Sequence, residues 1–379
     1  MEPLPVSVLP AGVRARILPD INGLDVHVLE AGYETPGRPA VLLLHGFPEL
    51  AFSWRKILPA LAAAGYHAIA PDQRGYGRTT GWNADYDADL SSFRFMMLLR
   101  EAIGVLFALG HRTAEAVVGH DFGAASASFH ALVRPDIFKR MVLMSAPFGG
   151  VPAVPFDTVG KPVAPTPPDI HAALAALPRP RKHYQWYQST RGANENQWHA
   201  KQGVHDFLRA YYHYKSADWK ANKPFPLKGW TAEELAKMPT YYIMDLAEGM
   251  AETVAKEMPS AAEIAANKWL TEADLRVYSS EYERTGFQGG LNWYRVRTTG
   301  LVGREYAAFT GRTIDVPSTF ISGKNDWGNY QTPGAIERMQ KSACSNMKEI
   351  HLVEGAGHWV QQEQPDEVSR LLVRFLRST

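Results

Sequence analysis

The stretch from Ala114 to Val133 constrains this chain more than any other part of its 379 residues. An apolar run, Ala114 to Val118, leads into Gly119-His120-Asp121-Phe122-Gly123. Phe122 to Val133 then reads as a helix rich in small residues that ends before Pro135. Glycines flanking a single reactive side chain suit a sharp strand-to-helix turn. The two backbones pass too close there for a Cβ, and the central side chain is pushed out with its reactive atom exposed. Such a turn presupposes a buried strand behind it and a helix in front. Asp is also a favoured N-cap, so the turn alone does not make Asp121 a nucleophile. The rest of the chain has to supply its partners.

The sequence on either side has the grammar the turn needs. Asn22-Gly23 between two apolar-alternating runs, Ala15 to Leu18 and Leu24 to Leu29, is a hairpin signal. Ala40 to Leu44 is a continuous apolar run, as expected for a strand buried on both faces of a parallel sheet. A helix is expected from Trp54 to Ala64, a strand from His67 to Ala70, a helix from Ser91 to Leu109 and a strand from Met141 to Met144. From Ala146 the texture changes. Residues 148–180 are crowded with proline, and no strand pattern returns for roughly 160 positions. That stretch instead offers helical segments such as Ala261 to Trp269, and it holds six of the ten tryptophans. Strand and helix alternate again from Val316, through Pro333 to Gln340, Glu349 to Val353 and Glu367 to Leu376. The expected architecture is an α/β sheet, mostly parallel with helices on both faces, formed by residues 1–147 and 311–379. A helical cap, residues 148–310, is inserted after the sixth core strand.

Composition narrows the function. A net charge of +1 leaves no strong field for nucleic acid or a membrane surface. The single cysteine, Cys344, excludes an intrachain disulfide. No run of about 18 uncharged apolar residues is present, and the first residues lack a signal-peptide pattern. A soluble, cytoplasmic protein is expected.

Two segments offer Asp121 its partners. Gly355-Ala356-Gly357-His358-Trp359 follows the last expected strand, where a histidine on a flexible loop reaches a nucleophile at the sheet's carboxyl edge and activates water. Ser322 to Trp327 places Asp326 at the end of the preceding strand, where it would hold the imidazole tautomer. The order nucleophile, acid, histidine is that of the α/β-hydrolases. His45-Gly46-Phe47-Pro48-Glu49 follows the strand Val41 to Leu44. Its Phe47 N–H, with that of Phe122, is expected to form an oxyanion hole. Asp72 to Gly77 reads as a structural turn, and His130 and His351 as structural histidines. A carboxylate in the nucleophile position changes the reaction: it attacks an electrophilic sp³ carbon and forms an alkyl-enzyme ester.

These segments resemble the soluble epoxide hydrolases of the α/β-hydrolase superfamily. His45-Gly46-Phe47-Pro48, Gly119-His120-Asp121-Phe122-Gly123 and Gly357-His358-Trp359 carry the likeness in the core. Tyr278 to Phe287, leading into Gly290-Leu291-Asn292-Trp293-Tyr294-Arg295, carries it in the cap. The resemblance implies two cap tyrosines that donate to the epoxide oxygen, assigned to Tyr278 and, from Tyr184-Gln185-Trp186-Tyr187, to Tyr184. An opened epoxide leaves an alkoxide, which phenols of pKa about 10 can protonate. Tyr187, Tyr211, Tyr212, Tyr214, Tyr241 and Tyr242 read instead as packing within the cap. The cap is longer than the family's between Tyr214 and Leu270, and Phe122 stands where the family often has tryptophan. A dehalogenase would share Asp121 and His358, but Phe122 offers a departing halide no side-chain donor.

The expected pocket is lined by His45, Pro48, Gln185, Trp186, Tyr187, Trp327 and Trp359. The expected partners are an apolar or aryl epoxide and water, without cofactor or metal, and the reading allows a homodimer.

Overall fold

Asn22 and Gly23 both adopt positive φ, 54° and 77°. This is the twist a two-residue hairpin turn needs, and it joins β1 (Val13–Ile21) to β2 (Leu24–Ala31). In the computed structural model, which describes residues 1–152 and 169–378, these two strands form the antiparallel edge of an eight-stranded sheet. Its remaining strands are β3 (Ala40–Leu44), β4 (His67–Pro71), β5 (Ala114–His120), β6 (Met141–Met144), β9 (Ser318–Gly323) and β10 (Met347–Val353). The order is β1-β2-β4-β3-β5-β6-β9-β10, and every pairing from β4 to β10 is parallel. β3 and β5 are buried along almost their whole length because helices cover both faces of the sheet, which is why they are nearly uninterrupted apolar runs.

Parallel order puts the carboxyl ends of β3, β5, β9 and β10 along one edge, so the loops carrying His45, Asp121, Asp326 and His358 converge there. Between β6 and β9 lies the helical cap. Of the proline-crowded stretch at 148–180, residues 153–168 lie outside the described residues. Two strands absent from the sequence expectation, β7 (Arg181–His183) and β8 (Ile243–Asp245), pair antiparallel inside the cap. Three-residue strands are too short to show a period of two.

One flank of the cap is tied closely to the core. Arg55, at the end of the Ala51–Trp54 turn that follows β3, bonds Asp274 Oδ1 at 2.9 Å and the Trp269 carbonyl at 3.1 Å, and its Nη1 reaches Gln362 Oε1 at 2.9 Å. At the carboxyl edge of the sheet the cap helix Gly203–Lys215 gives its Lys215 carbonyl to the His358 N–H at 2.9 Å. The Tyr212 carbonyl of the same helix accepts from the Trp359 indole at 2.9 Å. Glu363 clamps the same seam, accepting from Ala217, Gly357 and Trp359 N–H at 2.8, 2.9 and 3.0 Å. A Cβ on Gly357 would come within 2.5 Å of the Ser216 carbonyl carbon, so the two backbones meet where only glycine fits.

Candidate active site

At the end of β5 the backbone turns through Asp121, which adopts φ 53° and ψ −117°. Only glycine takes positive φ without cost, and a strained non-glycine residue persists where its surroundings over-determine it. Here they do. A Cβ on Gly119 would meet the Gly123 carbonyl oxygen at 2.1 Å, and one on Gly123 would meet the Leu44 carbonyl oxygen at 2.1 Å. The two glycines flanking the turn allow strand, turn and helix to touch.

The carboxylate faces two groups. The Phe47 N–H donates to Asp121 Oδ1 at 3.0 Å. His358 Nε2 lies 3.4 Å from Asp121 Oδ2. On its other side, His358 Nδ1 sits 3.1 Å from both oxygens of Asp326, and Asp326 Oδ1 also accepts from the Gly328 N–H at 2.7 Å. A carboxylate at Nδ1 holds a proton there and turns Nε2 toward Asp121. Burial alone would raise the Asp121 carboxyl. The hydrogen bond and charge of His358, followed by the charges of Lys215 and His120, hold it well below the usual carboxylate range. Phe122, whose amide begins the helix after the turn, packs its ring edge-on against Tyr294 at 4.6 Å between centroids.

Behind these residues, His120 bridges Glu49 and the loop that carries His358. Its Nδ1 is 2.6 Å from Glu49 Oε2, and its Nε2 is 2.6 Å from the His358 carbonyl. Both ring nitrogens face acceptors. Burial disfavours the imidazolium, but Glu49 outweighs it and raises His120 above the usual histidine range. Glu49 also accepts from the Gly46 N–H at 3.0 Å and from Gln361 and Gln362 at 2.9 and 3.1 Å, so one buried ion pair braces both loops. Sequence reasoning passed over Glu49 and His120 although both lie inside the motifs it used.

Of the two expected cap tyrosines, the structure brings only one to the site. Tyr184 OH donates to Gln331 Oε1 at 3.2 Å and accepts from Gln185 Nε2 at 3.2 Å. Burial, then the charge of Asp121, pushes its phenol above the usual range. Tyr278 does not share this space. Its hydroxyl is held by Ser53 Oγ at 2.8 Å and Gln362 Oε1 at 3.0 Å, on the core side of the Glu272–Thr285 helix. Tyr294 stands there instead. Its ring lies 5.8 Å from Tyr184 and 5.4 Å from Phe47, and burial, then Tyr211, Tyr184 and Asp121, pushes its phenol up.

A local signal for Tyr294 was available. On the helix Gln288–Thr298, a Cβ on Gly289 would strike the Gly75 carbonyl oxygen at 2.0 Å, and one on Gly290 would strike the Phe47 ring at 2.7 Å. The two glycines mark the face pressed against the core. Residues four further along, Trp293 and Tyr294, share that face.

The other expected pocket residues divide. Gln185 touches Tyr184, as above. Trp359 packs 4.7 Å from His358, and Trp327 is buried beside Asp326 with Phe225 5.0 Å away. Pro48 follows the oxyanion loop's Phe47 through a cis bond and gives its carbonyl to Tyr212. His45 is a brace: its Nδ1 bonds the Gly46 carbonyl at 2.9 Å and its Nε2 accepts from the Gln73 N–H at 3.1 Å. Trp186 is 37 % exposed and packs on His171 and His183. Tyr187 bonds Asn196 Oδ1 at 2.8 Å. Trp186, two residues after Tyr184 on one short helix, is turned to another face by helical rotation, whereas Tyr187, three residues on, is held by Asn196. Among the described residues no group of three or more His, Cys, Asp or Glu is disposed to hold a metal ion, and no helix is long and apolar enough to cross a membrane.

A buried Asp–His–Asp constellation at the carboxyl edge of such a sheet, beneath a helical cap, defines a hydrolase with a carboxylate at the nucleophile turn. Comparison with known proteins agrees. The alpha/beta hydrolase fold family matches residues 39–365. Epoxide hydrolase B of Mycobacterium tuberculosis is 32% identical over 370 residues, covering 95% of this chain and 97% of that protein. An epoxide hydrolase of Caballeronia sordidicola is 33% identical over 358 residues, covering 94% and 92%. Among solved structures, an epoxide hydrolase from an endophytic Streptomyces superposes with a TM-score of 0.74 at 33% identity, covering 97% of this chain and 96% of that one. Potato (Solanum tuberosum) epoxide hydrolase I superposes at 0.73 with 29% identity, covering 97% and 100%. The chain belongs to the α/β-hydrolase family and, within it, to the epoxide hydrolases.

Proposed function

We propose that this enzyme converts an apolar or aryl epoxide to a vicinal diol through an alkyl-enzyme ester on Asp121, with Tyr184 and Tyr294 as the donors to the epoxide oxygen. The observation that carries the reading is a carboxylate, in place of a hydroxyl, at the strained turn and facing His358, with two phenols among its neighbours. Asp121 Oδ2 attacks a ring carbon. The C–O bond breaks, and its electron pair passes to the oxygen, which takes a proton from a phenol. Burial raises both phenols, so they are neutral donors at pH 7. Oδ1, already against the Phe47 N–H, becomes the ester carbonyl. Water then attacks that carbonyl while His358 takes its proton and Asp326 stabilises the imidazolium. The oxyanion on Oδ1 is met by Phe47 N–H and, at the helix start, Phe122 N–H. Collapse releases the diol and regenerates the carboxylate, and the proton on His358 returns to the phenolate.

The rings of Phe47, Phe122, Tyr184, Tyr242 and Tyr294 around the carboxylate support an apolar substrate. The test is one turnover of excess enzyme on styrene oxide in ¹⁸O-water, with mass analysis of diol and digested protein. Label on the Asp121 peptide with unlabelled diol is expected. Label in the diol with none in the protein would overturn the covalent route.

A further inference from the structure

Lys215, the last residue of the cap helix Gly203–Lys215, is 3 % exposed. Its ammonium carries three donors, yet among the described residues it makes no hydrogen bond or ion pair to a protein group. It is ringed instead by aromatic faces, with Nζ 4.9 Å from the centroid of Tyr242, 5.4 Å from Tyr211, 5.5 Å from Trp359 and 5.8 Å from Tyr241. Burying an ammonium without a counter-charge is costly, and ring faces offset only part of that cost. On balance burial holds Lys215 below the usual lysine range, and nearby carboxylates oppose it. Three carboxylates act on Lys215: Asp121 most strongly, then Asp326, then Glu49. Glu49 already has His120 as its ion-pair partner. Asp121 and Asp326 share the single imidazole of His358, so two buried carboxylates face one ring. Among the described residues Lys215 is the remaining cation in this cluster, and its own carbonyl holds the His358 N–H.

We propose that Lys215 is a positioning residue, the counter-charge of the nucleophile, whose ammonium favours each state of the cycle in which negative charge lies on Asp121. Two states qualify: the free carboxylate that attacks, and the oxyanion formed when water adds to the ester. The neutral ester between them gains nothing from the ammonium. Lys215 therefore lowers the barrier out of the ester and keeps Asp121 ionised toward acid pH. The inference rests on the covalent reading above.

The experiment compares wild type, Lys215→Met and Lys215→Arg on styrene oxide. It uses rapid quench with mass detection of the ester, steady-state kinetics and a pH profile, with thermal unfolding as the check on folding. Lys215→Met is expected to accumulate ester in the steady state, with kcat down about tenfold and KM down with it. The acidic limb of ester formation should move up by about one pH unit, the size of a tenfold change in ionisation. Lys215→Arg, which keeps the charge, should recover both properties. An unshifted acidic limb and no extra ester in a folded Lys215→Met enzyme would overturn the proposal while leaving the covalent route intact. So would a Lys215→Arg enzyme that folds and behaves like Lys215→Met. Absence of ester in wild type at every quench time would overturn the covalent reading, and this proposal with it.

Discussion

Gly46→Ala places one methyl group against Asp121, the proposed nucleophile. An ideal Cβ on Gly46 lies 2.4 Å from Asp121 Cβ and 2.5 Å from Oδ1. Carbon atoms rest at about 3.5–4.0 Å, so more than about 1 Å of overlap has to be relieved. The backbone on either side resists. The Gly46 N–H is held by Glu49 at 3.0 Å, and the Asp121 N–H by the Met144 carbonyl at 3.1 Å. The softest coordinate left is the Asp121 side chain, which must rotate off the Phe47 N–H and out of line with the substrate carbon. A misplacement of about 1 Å costs roughly a hundredfold in rate, or about 2.7 kcal/mol of barrier. Overpacking should also lower stability by about 1–3 kcal/mol. Single-turnover ester formation, followed by quench and mass analysis, reads the first effect, and urea unfolding reads the second. A folded Gly46→Ala enzyme that forms ester within about threefold of the wild-type rate would refute the claim that Gly46 is the surface against which the carboxylate is aimed.

Tyr184→Phe and Tyr294→Phe are each expected to slow ester formation by about a hundredfold, at the low end for a lost proton donor. Tyr278→Phe should leave that rate unchanged and lower unfolding free energy by about 1 kcal/mol, through the lost Ser53 and Gln362 bonds; equal slowing by Tyr278→Phe and Tyr294→Phe would reverse the assignment. His358→Gln should trap the ester, visible in the intact-protein mass as enzyme plus one substrate. Burial pushes His130 down to about 3 from an ordinary value of 6.5. Below pH 6.5 the unfolded chain therefore takes up a proton that the fold refuses. This group's contribution to stability is complete above pH 6.5 and is lost as pH falls toward 3, at up to about 1.4 kcal/mol per pH unit. Unfolding midpoints at pH 7 and pH 5 should differ less in His130→Leu than in wild type.

The sheet and its insertion were legible because buried parallel strands are apolar on both faces and the connecting turns carry glycine where nothing else fits. Asp121, His358 and Asp326 could be named for a related reason. Each lies within a few residues of a strand end, so the backbone decides its direction. The cap is different. A tyrosine on a helix points according to which face packs, and Tyr278 and Tyr294 occur in one continuous run of sequence. Tyr278 lies on a helix whose buried face meets the Ala51–Trp54 turn and the Val360–Glu363 helix. Tyr294 lies one turn beyond the Gly289-Gly290 pair that seats its own helix over Phe47. Trp186 and Tyr187 were drawn into the expected pocket by proximity to Tyr184, although Trp186 is turned by about 200° around the helix and Tyr187 bonds Asn196. Lys215 gave no sign at all: a lysine closing a helix reads as a surface residue favouring the helix dipole, and only the arrival of Trp359 and β8's neighbours from distant sequence buries it.

The His358 amide that ends on the Lys215 carbonyl has a consequence for how this enzyme can be altered. His358, the proposed general base, takes its main-chain anchor from the cap, so the cap is part of the scaffold that aims this histidine. A graft that replaces the cap with a relative's, to change which epoxides are accepted, would cut the Lys215, Tyr212 and Ala217 attachments together unless the C-terminal end of the Gly203–Lys215 helix stays with the core. Grafts that keep this end should alter selectivity while preserving the rate of ester hydrolysis. Those that exchange it should lose hydrolysis first, whatever substrate they admit.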